Sequence, residues 1–86
     1  MKKKLRFFGA VWCPHCKNSE KWIQELIQEN PEYAKLDIEH IDIDRDKDKM
    51  QGVSFDLVPT FYLEDEKIFE GAPTKDTIKQ ILDKSL

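Results

Sequence analysis

The feature that most constrains this chain is a pair of cysteines two residues apart, Cys13-Pro14-His15-Cys16, in 86 residues that hold no other cysteine. Small secreted domains that depend on disulfides carry more cysteines and join them across longer loops, so this pair is not a structural framework. A Cys-x-x-Cys pair in a chain whose strand and helix patterns alternate points to redox chemistry or to metal. Either use requires the flanking chain to hold both sulfurs at one defined place.

The flanking patterns supply such a place. Lys3-Lys4-Leu5-Arg6-Phe7-Phe8 has the residue types of a first strand, ended by Gly9-Ala10. Pro14 suits the first position of a helix, where its missing N–H leaves no bond unmade. From Ser19 onward, Trp22, Ile23, Leu26 and Ile27 recur at helical spacing, which puts Trp22 on the core-facing stripe. Asn30-Pro31 ends the helix, because the residue before a proline is pushed out of the helical region. Ile38 to Ile43 reads as a second strand. The charged stretch from Asp44 to about Val53 reads as a short helix anchored by Met50 and Val53. Thr60-Phe61-Tyr62-Leu63 is a third strand, Glu64-Asp65-Glu66 a turn, and Lys67-Ile68-Phe69-Glu70 its hairpin partner. After Gly71-Ala72-Pro73, Thr74 is an N-cap, and Ile78, Ile81 and Leu82 mark one face of a last helix. The order βαβαββα predicts an α/β fold with a four-stranded mixed sheet flanked by helices. The first two strands are parallel and the last two antiparallel.

The length fits a single domain spanning 1–86 with a small core. With 40% hydrophobic and 36% charged residues, the composition is that of a folded chain. A net charge of −3 argues against nucleic acid as partner. Lys2-Lys3-Lys4 is the one basic cluster and reads as solvated. No stretch approaches the roughly 18 apolar residues of a membrane span. The apolar run from Leu5 to Trp12 is broken by Arg6 and followed by no small-residue cleavage site, so it does not read as a signal peptide. The expected location is the cytoplasm, and the expected state is a monomer.

On this order Cys13 falls in the loop after the first strand, at the N-terminus of the first helix. Free backbone N–H groups and the helix dipole favour a negative charge there, so the Cys13 thiol is expected to be unusually acidic. Cys13 is the expected nucleophile. Cys16, one turn further in, is the expected resolving thiol, more buried and close enough to bridge. Lys17 adds positive charge nearby. A hydrogen-bonding or protonated His15 stabilises the thiolate and makes the disulfide more oxidising, by about 30 mV per 1.4 kcal/mol. Trp12, beside Cys13, is placed to shape a substrate groove.

Trp12-Cys13-Pro14-His15-Cys16-Lys17 resembles the active-site segment of the thioredoxin superfamily. The Pro-His pair between the cysteines is that of bacterial disulfide oxidases, where glutaredoxins carry Pro-Tyr and thioredoxins Gly-Pro. Leu57-Val58-Pro59-Thr60-Phe61 is similar to the segment that precedes the superfamily's third strand. The resemblance implies that Pro59 is cis and packs against the cysteines, and that Val58 offers backbone hydrogen bonds to a substrate peptide or to glutathione. Ile41-Asp42-Ile43-Asp44 resembles the end of the second strand in small thioredoxins. The likeness runs over nearly the whole chain. It implies a minimal thioredoxin-like fold and a thiol–disulfide oxidoreductase acting on protein or low-molecular-weight disulfides. No bound cofactor is implied. The upstream reductant would be glutathione or a thioredoxin-reductase-type enzyme, with glutathione then a co-substrate. Glutaredoxins show Gly-Gly and, soon after, an Asp that holds a glutathione carboxylate. Here Gly71-Ala72-Pro73-Thr74-Lys75-Asp76 keeps one glycine, loses the second and places Asp76 later. A glutathione-dependent glutaredoxin is therefore the alternative reading.

Rival chemistries are weaker. A zinc site would need His15 and His40 beside the cysteines, but His15 lies between them and structural zinc sites bring a second close cysteine pair. Haem attachment needs His where Lys17 stands. Asp42, Asp44, Asp46 and Asp48 alternate like a calcium loop, but its sixth and twelfth positions hold Lys47 and Val53 instead of Gly and Glu. A redox-inactive binding module is disfavoured by the joint presence of both cysteines, Pro14 and Val58-Pro59.

Overall fold

The computed structural model describes residues 4–86. Lys2 and Lys3, and with them most of the basic cluster, lie outside the described residues. Strand β1 spans Lys4–Gly9, helix α1 Pro14–Glu29, β2 Asp37–Asp42, β3 Thr60–Leu63, β4 Glu66–Glu70 and helix α2 Lys75–Ser85. They form one sheet in the order β2-β1-β3-β4, with β1 parallel to β2 and antiparallel to β3, and β3 antiparallel to β4. The fold class and strand directions are those expected.

Alternation along β1 gives each face of the sheet its own core. Leu5 and Phe7 point to one face, where they meet Phe61 and the apolar stripes of both helices: Ile23 and Leu26 from α1, Ile78, Ile81 and Leu82 from α2. Phe7 packs edge-on against Phe61, with ring centres 4.8 Å apart. Phe8 points to the other face, with Ile41 and Tyr62. Phe7, Phe8 and Phe61 are fully buried, each contributing about 1.5–3 kcal/mol of transfer free energy. Trp22 is only half-buried, packed against the first core rather than within it.

Both α-helices lie on the Phe7 face, in contact with each other. The Phe8 face is covered instead by Met50, Val53 and Phe55. The helix expected within 44–53 is reduced to a single 3-10 turn, Lys47–Met50. The alternating aspartates explain this. Asp42 Oδ1 accepts the N–H groups of Asp44 at 2.8 Å and Arg45 at 3.2 Å, and Asp46 Oδ2 accepts that of Asp42 at 3.0 Å. Side chains that bond their own backbone offer it an alternative to the helical ladder.

Asn30 closes α1, as the following proline requires, and also opens a 3-10 turn at Pro31–Lys35 by accepting the Glu32 N–H at 3.1 Å. That turn buries Tyr33, whose hydroxyl donates to the Asp83 carboxylate of α2. Thr74 caps α2, its hydroxyl accepting the Thr77 N–H at 3.2 Å.

Candidate active site

β1, a central strand, delivers the chain to one end of the sheet, and α1 begins four residues past Ala10. In that turn the Cys13 N–H donates to Ala10 O at 3.2 Å. Cys13 itself is the N-cap: its extended backbone precedes Pro14 at the first helical position, and its sulfur accepts the Cys16 backbone N–H at 3.2 Å. One of the free N–H groups at the helix start is thus aimed at Cys13 Sγ, where it and the helix dipole favour negative charge.

Cys13 and Cys16 are both free thiols and both buried, at 3% and 2% exposure. The expected difference in depth is absent because a loop 45 residues away covers Cys13. Its thiol lies 3.7 Å from the carbonyl oxygen of Val58, to which it donates. The Val58–Pro59 peptide bond is cis, and Pro59 is buried. The structure therefore brings the Cys13–Cys16 turn and the Val58–Pro59 loop together from segments 45 residues apart.

The two thiols differ in their surroundings. Burial pushes the Cys16 thiol well above its ordinary range, and its hydrogen bond with Cys13 and the negative field of Glu20 add to the shift. Cys16 is packed on Gly9, where a methyl group would come 3.2 Å from Cys16 Sγ and 2.7 Å from Phe7 Cε1. Gly9 is thus a residue of the site that strand patterning did not single out.

Trp12 is 63% exposed at the rim, and its indole N–H donates to Asp44 Oδ2 at 2.9 Å. Val11 and Leu57 are the other large exposed apolar side chains of the rim loops. Pro14 and His15 are exposed on the first turn of α1, and the His15 carbonyl accepts the Ser19 hydroxyl at 2.7 Å. His40 is committed elsewhere: it pairs with Glu20 at 2.9 Å and packs edge-on against Phe7. Asp76 stands in the first turn of α2. No helix among the described residues is long and apolar enough to cross a membrane.

A vicinal dithiol capping a helix, faced by a cis-proline loop on a β2-β1-β3-β4 sheet, defines a thiol–disulfide oxidoreductase of the thioredoxin fold. The thioredoxin family model matches residues 2–84, and the chain belongs to the thioredoxin family. It is 28% identical over 85 residues to a thioredoxin of Methanocaldococcus jannaschii, covering 99% of this chain and 98% of that one. Its fold is shared by the oxidised thioredoxin of Plasmodium falciparum, with a TM-score of 0.73 at 23% identity over 96% of this chain and 80% of that one. It is also shared by mitochondrial thioredoxin 3 of Saccharomyces cerevisiae, with a TM-score of 0.72 at 23% identity over 96% and 78%. The family assignment does not favour the glutaredoxin alternative.

Proposed function

We propose that the protein reduces disulfides of proteins or small thiol compounds by a dithiol exchange at Cys13 and Cys16. The observation that carries this reading is the position of Cys13 Sγ. It sits on a helix N–H, under the Val58 carbonyl, with a second thiol that burial keeps protonated behind it. The Cys13 thiolate attacks one sulfur of the substrate disulfide, and the other sulfur leaves as a thiolate that takes a proton from water. The mixed disulfide so formed is broken when Cys16 loses its proton and attacks Cys13 Sγ. The second substrate thiol leaves, and the Cys13–Cys16 disulfide holds the two-electron oxidation that the substrate has given up.

Val58 and Pro59 are the docking edge for the substrate in this reading, and Trp12 is the apolar rim beside it. Pro14 starts the helix that presents the pair. His15, in its first turn, tunes the potential. Gly71-Ala72-Pro73 and the late Asp76 lack the glutathione-carboxylate arrangement, so a thioredoxin-reductase-type enzyme is the electron donor that fits better. The protein acts as a cytoplasmic monomer in this reading, without a bound cofactor, metal, nucleic acid or membrane.

The test is insulin reduction with dithiothreitol as donor. Wild type is expected to turn over and Cys13→Ser to be inactive. Cys16→Ser, reduced and freed of dithiothreitol before it meets insulin, should stop at a stoichiometric mixed disulfide. Full activity of Cys13→Ser would sink the assignment. Equilibration against glutathione sets the direction: about −270 mV marks a reductant and about −120 mV an oxidase.

A further inference from the structure

Strand β4 ends on Glu70, whose side chain reaches back over the loop leading to Pro59. Glu70 Oε2 accepts two successive backbone N–H groups, from Asp56 at 2.5 Å and Leu57 at 2.8 Å. Glu70 Oε1 takes the Lys67 ammonium at 2.9 Å, and the same ammonium donates to Ser54 O at 3.3 Å. On the far side of the loop, the Thr60 hydroxyl donates to Leu57 O at 2.5 Å and the Gly71 N–H to Pro59 O at 3.0 Å. Val58 lies between these fixed peptide groups, and its own carbonyl faces Cys13 Sγ.

We infer that Glu70 is a positioning residue of the exchange site, its carboxylate fixing the Val58 backbone in the place where a substrate peptide must align its disulfide with Cys13. The inference rests on the reading of Cys13, Val58 and Pro59 as that site. A carboxylate is suited to the task because charge-assisted bonds to backbone N–H groups are about twice as strong as neutral ones. Lys67, followed by the two backbone N–H groups, holds the Glu70 carboxyl down at about 2, so the clamp is ionised throughout the neutral range. Glu70 contacts the loop rather than the sulfurs. Its loss should therefore weaken substrate alignment and leave the intrinsic reactivity of Cys13 intact. Gln keeps an oxygen that can accept both N–H groups. Asp keeps the charge but is shorter by about 1.5 Å, a carbon–carbon bond.

The experiment compares wild type, Glu70→Ala, Glu70→Asp and Glu70→Gln in insulin reduction. Hydrogen exchange at the Asp56 and Leu57 amides and the rate of Cys13 alkylation by iodoacetamide accompany it. Glu70→Ala and Glu70→Asp should raise KM about five- to tenfold with kcat retained, as expected for the loss of about one net hydrogen bond's alignment. Both amides should exchange faster, and the alkylation rate should stay within about twofold. Glu70→Gln should fall between wild type and Glu70→Ala in KM, since its oxygen still accepts both N–H groups but without the charge that strengthens them. Unchanged KM in Glu70→Asp, or a fall in alkylation that parallels the loss of turnover, overturns the positioning role. Should Glu70→Ala not fold, the Asp and Gln variants still decide. A wild type that reduces no insulin fails the exchange site itself, whereas an active wild type with indifferent Glu70 variants fails only the clamp.

Discussion

The Trp12 indole N–H donates to the Asp44 carboxylate at 2.9 Å, tying the residue before Cys13 to the turn after β2. The bond fixes a ring that is otherwise largely in solvent, and an ordered apolar rim costs a substrate less to bind against than a mobile one. Asp44→Ala should lower kcat/KM for insulin about two- to fivefold, the low end of a hydrogen bond's net contribution, as suits an exposed one. Trp12→Ala removes the surface as well and should cost about tenfold. In both variants the rate of Cys13 alkylation should be unchanged. A matching fall in alkylation would show that the pair supports the cysteine rather than the substrate.

Burial holds the Cys16 thiol protonated, whereas Cys13 Sγ receives a backbone N–H at 3.2 Å. Only a thiolate alkylates at a useful rate. Brief treatment of the reduced protein with iodoacetamide at about pH 8 should therefore give one adduct, on Cys13, by peptide mass spectrometry. The Cys13→Ser variant should react at least about tenfold more slowly at its remaining thiol. Equal labelling of both cysteines would contradict the asymmetry on which the order of attack and resolution depends.

Local signals in the sequence located the elements that carry the candidate site. Pro14 marked the start of α1, Asn30-Pro31 its end, Thr74 the cap of α2, and the two cysteines fell at a strand–helix junction. These features are written in residues that neighbour one another, so sequence order reveals them. The features missed depend on distant or competing contacts. The run 44–53 carries enough charge and periodicity for a helix, but Asp42 and Asp46 bind the backbone first and leave one 3-10 turn. Cys13 is buried by a carbonyl that sequence order puts 45 residues away. Glu70 reads as an ordinary strand-end carboxylate until the fold brings Asp56 and Leu57 under it.

Gly9 pairs with Asp42 at the end of β1 and lies directly against Cys16. A methyl group there would stand 2.7 Å from Phe7 Cε1, so the Phe7 ring or the Cys16 side chain would have to move. Gly9→Ala should destabilise the protein by about 1–3 kcal/mol, as overpacking in a filled core does. Because displaced Cys16 is no longer held where it can reach Cys13, the variant should also accumulate mixed disulfide during insulin reduction. A variant that loses stability but resolves mixed disulfides at the wild-type rate would show that Gly9 serves the core alone.

The Tyr33 hydroxyl joins the 3-10 turn after α1 to Asp83 on α2, and Lys79 pairs with the same carboxylate at 3.2 Å. The bond to Asp83, with burial, raises the Tyr33 pKa above its ordinary value of 10.0. The unfolded chain therefore loses this proton first. The stability that the bond contributes is complete below about pH 10 and declines as pH rises through the folded-state value. Tyr33→Phe should lower the urea-unfolding free energy by about 1–2 kcal/mol near neutral pH, since Lys79 still pairs with Asp83 and no charge is left alone. Tyr33 also holds the Asp83 carboxyl down, but Asp83 stays ionised in both proteins across this range, and groups remote from Tyr33 cancel in the difference. The gap between wild type and Tyr33→Phe should be flat from about pH 6 to 9 and shrink above about pH 10. A gap that stays constant up to about pH 11 would mean that the folded protein does not hold this proton more tightly than the unfolded chain.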